Sequence, residues 1–169
     1  RSSLVAGSVE RMDCRAFSSL TKMRGTEGVK QSNMRFEAAA TINASPETIW
    51  DAVADPETWP SWTRVIYKVK KLTEGPLGVG SRVRITIWFI LPVSLHMTIT
   101  EYIPGRRVVM EGKTLLARMT RYYMLKPLDG ATRAIAGGRA SGIMAWLVWL
   151  SGEAMSEDIV YSLKKKIEG

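Results

Sequence analysis

Between Arg82 and Leu91 the odd positions Val83, Ile85, Ile87, Phe89 and Leu91 are apolar, set against Arg82, Arg84, Thr86 and Trp88. A period of two marks a strand with one face toward a core, because successive side chains leave a strand on opposite sides. Val93, Leu95, Met97 and Ile99 repeat the pattern against Ser94, His96, Thr98 and Thr100. Val108, Met110 and Gly112 form the inward set of the strand that follows. Adding Arg35–Asn43, Val65–Thr73, Ala117–Lys126 and Ala131–Gly142, the chain predicts about seven strands. Glu74-Gly75-Pro76, Pro104-Gly105 and Pro127-Leu128-Asp129-Gly130 supply the reversals of an antiparallel meander.

Two short helices interrupt this order after the first strand. Ser45 is a natural N-cap, Pro46 suits the first helical position, and Ile49, Trp50 and Val53 give the helix an apolar side. Asp55-Pro56 breaks it, and Glu57–Trp62 makes a second turn of helix. The tail, Met144–Glu168, reads as one long helix with Val148, Gly152, Ser156, Ile159, Leu163 and Ile167 on a single stripe, flanked by Trp149 and Val160. This order predicts an α+β architecture, a curved antiparallel sheet wrapped around a long C-terminal helix.

Residues 1–34 depart from the pattern. They are rich in Ser, Arg and Gly, lack periodicity, and predict a poorly ordered N-terminal extension with Met34 as a candidate natural start; the domain proper is expected over 35–169. The chain has 169 residues and a formal charge of +8, part of it from Arg and Lys in that leader. Elsewhere the basic residues are scattered along strands, which reads as solvated faces, and no nucleic-acid-binding motif accompanies them. One cysteine, Cys14, and one histidine, His96, argue against a disulfide framework and a zinc site, so no cofactor is expected. Ile85–Leu95 and Ile143–Leu150 are both too short to span a membrane, and a cytoplasmic location is the expectation.

Several short segments, in this order, resemble the polyketide cyclase/dehydrase-like branch of the START-like (Bet v 1-like, SRPBCC) superfamily. They are Ala44-Ser45-Pro46-Glu47-Thr48-Ile49-Trp50, Asp55-Pro56 with Trp59-Pro60-Ser61-Trp62, and Gly78-Val79-Gly80-Ser81-Arg82. Thr100-Glu101-Tyr102-Ile103-Pro104-Gly105-Arg106-Arg107, Asp129-Gly130-Ala131-Thr132-Arg133 and a closing Leu163-Lys164-Lys165-Lys166-Ile167-Glu168 complete the set. The resemblance implies a helix-grip fold with a cavity between sheet and long helix. Its members carry lipids, bind steroids or hormones, cyclise polyketides, bind ubiquinone or inhibit ribosomes, so the fold alone does not choose among these roles. The expected function is binding of a hydrophobic small molecule such as a lipid, polyketide or isoprenoid. The alternatives are a cyclase or dehydratase acting on such a ligand, and a ribosome- or quinone-associated interaction protein.

The expected ligand-facing set is Ile85, Ile87, Phe89, Met97, Met110, Arg121, Tyr123, Ala136, Gly138, Gly152, Ser156 and Ile159. Ala117–Lys126 has two phases: with Leu125 inward, Met119, Arg121 and Tyr123 face the cavity, and otherwise Thr120, Tyr122 and Met124 do. An inward Arg121 needs an anion, supplied by a ligand or by Glu111 or Glu101. Ala134, Ala136, Gly138 and Ala140 are a small inward set opposite Gly152 and Ser156. Two small walls leave a space, to be filled by a ligand or by Trp149 or Trp146. His96 falls on the outer face, and no catalytic group is assigned. Ile143, Trp146, Leu147 and Leu150 make the start of the long helix apolar nearly all round, which predicts a contact with a second copy or a membrane surface.

Overall fold

Period-two alternation becomes a seven-stranded antiparallel sheet in the computed structural model, which describes residues 33–88, 91–114 and 116–169. The strands are β1 (Met34–Ile42), β2 (Ile66–Lys71), β3 (Arg82–Trp88), β4 (Pro92–Ile103), β5 (Arg107–Lys113), β6 (Ala117–Leu128) and β7 (Ala131–Gly142). Their order across the sheet is β1-β7-β6-β5-β4-β3-β2. Neighbours from β2 to β7 are consecutive hairpins. β1 instead pairs with β7, because helix α1 (Pro46–Val53) and a 3₁₀ helix (Pro56–Ser61) carry the chain to the far edge before β2 begins. Gly105 and Gly130 hold φ of +70° and +73° at two hairpin reversals, a region that favours glycine. The expected extension lies outside the described residues up to 32, whereas Met34, placed at its end, already belongs to β1 opposite Ala140.

Both short helices start as their residues dictate. The Ser45 hydroxyl accepts from the Thr48 amide at 3.3 Å, and the Asp55 carboxylate accepts from the Glu57 amide at 3.0 Å. Helix α2 (Ala145–Glu168) packs against β1 and β7, and the 3₁₀ helix against β2. Polar anchors set where α2 lies. Asp158 accepts from the amides of Arg64 and Val65, Lys164 donates to the Thr41 carbonyl, and Glu168 accepts from the Asn43 amide. The central cluster joins Val69, Val83, Ile85, Ile87, Met97, Ile99 and Met110 from the sheet to Met155, Ile159 and Val160 from α2.

Two local departures matter. A bulge between Ile99 and Glu101 ends the strict alternation of β4 and turns Tyr102, opposite Val108, toward the concave side. At the other end of β4, Leu91 and Val93 carry the inward parity but stand 70% and 43% exposed, because the β3–β4 hairpin reaches past the covered part of the sheet.

Candidate functional site

Register converts sequence parity into three rows across the concave face. The middle row runs Ile99–Met110–Arg121–Gly138–Phe36; on one side lies Met97–Gly112–Met119–Ala140–Met34, and on the other Tyr102–Val108–Tyr123–Ala136–Ala38. The two phases of β6 are thereby decided. Met119, Arg121 and Leu125 are buried, and Tyr123 sets its ring edge-on to Trp59 with centroids 5.3 Å apart. Leu125 decides the phase, since its side chain belongs with Ile42, Ile49 and Leu163 in the apolar cluster at the end of the sheet.

Arg121 is 1% exposed, and is the one charged side chain among the buried described residues. Its Nη2 donates to Ser156 Oγ at 3.0 Å and its Nη1 reaches the Gly152 carbonyl at 3.5 Å; Ser156 Oγ in turn donates to that carbonyl at 2.7 Å. The guanidinium carbon stands 5.2 Å from the Phe36 ring centroid and 5.9 Å from that of Tyr123, so aromatic faces supply part of its stabilisation. Its Nε and the Tyr123 hydroxyl are buried without a hydrogen-bond partner. The protein carboxylates expected as partners are elsewhere: Glu111 is exposed, and Glu101 pairs with Arg107 at 3.3 Å. Among the described residues no carboxylate reaches Arg121.

The space expected between the two small walls is occupied, and by neither tryptophan. Phe36 fills it. A Cβ placed on Gly138 would meet the Phe36 ring at 2.7 Å, and one placed on Gly152 would meet it at 2.6 Å, so both glycines are seats for this ring. Trp146 is 53% exposed, and Trp149 packs beside the cluster of Phe36, Ala140 and Ala145 while donating to the Arg35 carbonyl. Among the described residues, two voids of about 20 Å³ each lie on the concave side. Trp50, Trp59, Val83, Ile99, Tyr102 and Met110 line one; Leu95, Met97, Gly112, Met119 and Val148 line the other. Of the remaining expected residues, Ile85, Ile87, Ala136 and Ile159 lie in the same buried cluster, while Phe89 lies outside the described residues.

Phe36, Trp59 and Met155 were not foreseen as part of this site. Phe36, Ala38, Ala40 and Ile42 alternate as cleanly as any strand, so parity contained the signal for the first. Met155 lies four residues before Ile159 on the buried side of α2.

A larger hollow, about 530 Å³, is an open groove on the convex face bordered by Arg35, Glu37, Arg107, Thr120, Tyr122 and Arg139. Within it the Tyr122 hydroxyl donates to the Glu37 carboxylate. Burial first, then the hydrogen bond and charge of Glu37, push the phenol up to about 12, with Arg107 and Arg35 pulling the other way. His96 is also outside, as parity required, and accepts from Arg84 Nε at 3.0 Å. Ile143, Trp146 and Leu150 are exposed at the start of α2, with Leu147 half-buried beside them. Among the described residues no three His, Cys, Asp or Glu side chains gather as a metal site. No described helix is long and apolar enough to cross a membrane.

Residues 33–168 match the family model "Polyketide cyclase / dehydrase and lipid transport". The curated "Uncharacterized protein Rv2574" of Mycobacterium tuberculosis is 35% identical over 46 residues, 27% of this chain and 28% of that protein, so the match spans little more than a quarter of the relative. Among solved structures, a START superfamily protein from Mycobacterium smegmatis superposes with a TM-score of 0.66 at 15% identity, over 81% of this chain and 98% of the other. The Zhui aromatase/cyclase from Streptomyces sp. R1128 gives 0.66 at 15% identity, over 81% and 94%. At such identities the likeness is one of fold.

Proposed function

The chain belongs to the polyketide cyclase/dehydrase and lipid transport family, and on that premise we propose that it binds one apolar small molecule between the concave face of its sheet and α2. The observation that carries this reading is the make-up of the interior. Met110 lines one void, Met97 and Met119 line the other, and these side chains stand on adjacent rows of the same face. Thioether chains repack at little cost, so an apolar guest joins the two voids by displacing flexible groups rather than backbone. Met155, also buried, adds a further adaptable group from the α2 side.

Binding is favoured over turnover by the polar groups that face this interior. Arg121 and Tyr123 are donors suited to holding a ligand's oxygen, whereas the chain's one histidine stands on the outer face against Arg84. A cyclase acting on a polyketide-like substrate, the alternative that the family's description includes, would use the same space.

Titration with the neutral apolar fluorophore N-phenyl-1-naphthylamine tests the reading, with native mass spectrometry to count bound molecules. One saturable site is expected, weakened about tenfold or more when Met110→Phe or Met119→Phe puts a stiff ring where a flexible chain stood. Wild-type protein that takes up no probe, or uptake indifferent to both substitutions, would overturn it.

A further inference from the structure

An arginine at the centre of an apolar interior is the least expected group on the concave face. Removing such a charge from water costs several kcal/mol unless an anion answers it. Among the described residues the answer is partial: one hydroxyl, one distant carbonyl and two aromatic faces, all neutral. Two buried donors, Arg121 Nε and the Tyr123 hydroxyl, remain unused, and Tyr123 stands two residues along β6 on the same face. Ser156 and the Gly152 carbonyl hold the outer nitrogens and so fix the plane of the guanidinium.

We propose that Arg121, with Tyr123, is the anchor for the carboxylate end of an otherwise apolar ligand. This deepens the binding reading above and rests on it. The Nε edge of a guanidinium presents parallel N–H groups that match the two oxygens of a carboxylate, and the phenol adds a third donor. The charge of the ligand follows from that of the site. Arg121 is the one buried cation among the described residues, so a single negative charge is neutralised whereas a dianion would leave an excess charge buried. The rest of the ligand lies among Met97, Met110, Met119 and Met155, which offer apolar contact and no hydrogen bonds of consequence. The ligand class is therefore a long-chain or polycyclic monocarboxylic acid.

Dodecanoic acid, methyl dodecanoate and dodecyl phosphate, each competing with N-phenyl-1-naphthylamine, separate head-group recognition from apolar binding. Wild-type protein is expected to prefer the acid over its ester by about ten- to a hundredfold, the range of charge-assisted hydrogen bonds. Arg121→Met, an apolar replacement of similar length, should bring that ratio to near one, and Tyr123→Phe should lower it by roughly three- to tenfold. Should Arg121→Met not fold, Tyr123→Phe and Arg121→Lys carry the test, with Lys retaining only part of the preference because a point charge lacks the fork. An acid and ester that bind equally well would overturn the anchor while leaving the apolar site standing. Dodecyl phosphate binding more tightly than the acid would overturn the assignment of a monoanion. A probe that binds but is displaced by none of the three compounds would likewise overturn the anchor, whereas a probe that does not bind at all overturns the binding reading itself.

Discussion

Arg121 and Tyr122 are adjacent in sequence and lie on opposite faces of one sheet. On the concave side the Arg121 charge is 1% exposed and, among the described residues, answered only by neutral groups. On the convex side Arg35, Arg107 and Arg139 border a groove open to water, where high dielectric makes neighbouring like charges cheap. Both faces use a glycine of β7 to seat an aromatic ring. Gly138 is a seat for the Phe36 ring inside, while Gly137 leaves room for the Tyr122 ring outside, where a Cβ would meet its Oη at 2.6 Å. The same residue types, one position apart, serve packing on one face and surface electrostatics on the other. The difference lies in what covers each face, and α2 covers only one.

Substitution on the inner face should therefore be expensive. Phe36→Ala empties the seat between Gly138 and Gly152 and is expected to cost about 3–5 kcal/mol in chemical denaturation. A cost below about 1 kcal/mol would mean that this ring is not part of the packed interior. Gly138→Ala should cost about 1–3 kcal/mol or more, since the new methyl meets both the Phe36 ring and the Thr120 carbonyl, and a backbone oxygen cannot turn aside. Phe36→Leu combined with Gly138→Ala should recover part of that loss, because the smaller side chain relieves one of the two collisions.

The outer face sharpens the contrast through pH. A phenol whose folded pKa stands near 12, above its ordinary 10.0, contributes stability that is complete below pH 10 and is lost as pH rises toward 12. Tyr122→Phe should remove that contribution: relative to wild type, its stability declines less steeply between pH 10 and 12. In an absorbance titration the phenol that ionises near pH 12 should vanish in the variant. A high-pH phenol that persists in Tyr122→Phe would place the perturbed group elsewhere. Smallest of all, His96→Ala should change stability by less than about 0.5 kcal/mol and leave probe binding intact, as befits an exposed side chain on the uncovered face. Loss of binding there would show that the outer face takes part in the site.

How much of this was legible beforehand differs between fold and site. Strand spans, the Ser45 cap, the break at Asp55-Pro56 and the long helix all follow from neighbours in sequence, so periodicity and cap chemistry located them. The inward phase of β6 stayed open because Arg121 and Tyr122 are both polar enough to fit either face. Only the clustering of Leu125 with Ile42, Ile49 and Leu163 selects one. In β4 the alternation itself was interrupted: the bulge at Ile99 and Glu101 has no distinct residue signature, yet it brings Tyr102 inward.

The sequence by itself determined the order of elements, the sheet-and-helix architecture and which strand positions face a core, because each depends on spacings of two or three to four residues along the backbone. Tertiary structure alone decided what lies between the small walls of β7 and α2. Phe36 reaches that space because β1 crosses to pair with β7, a pairing between opposite ends of the domain that no local pattern encodes. It alone also decided that, among the described residues, no carboxylate lies beside Arg121. Whether a charge is answered depends on which distant side chains the folded chain brings within a few ångströms, and here it brings Ser156, Phe36 and Tyr123 instead.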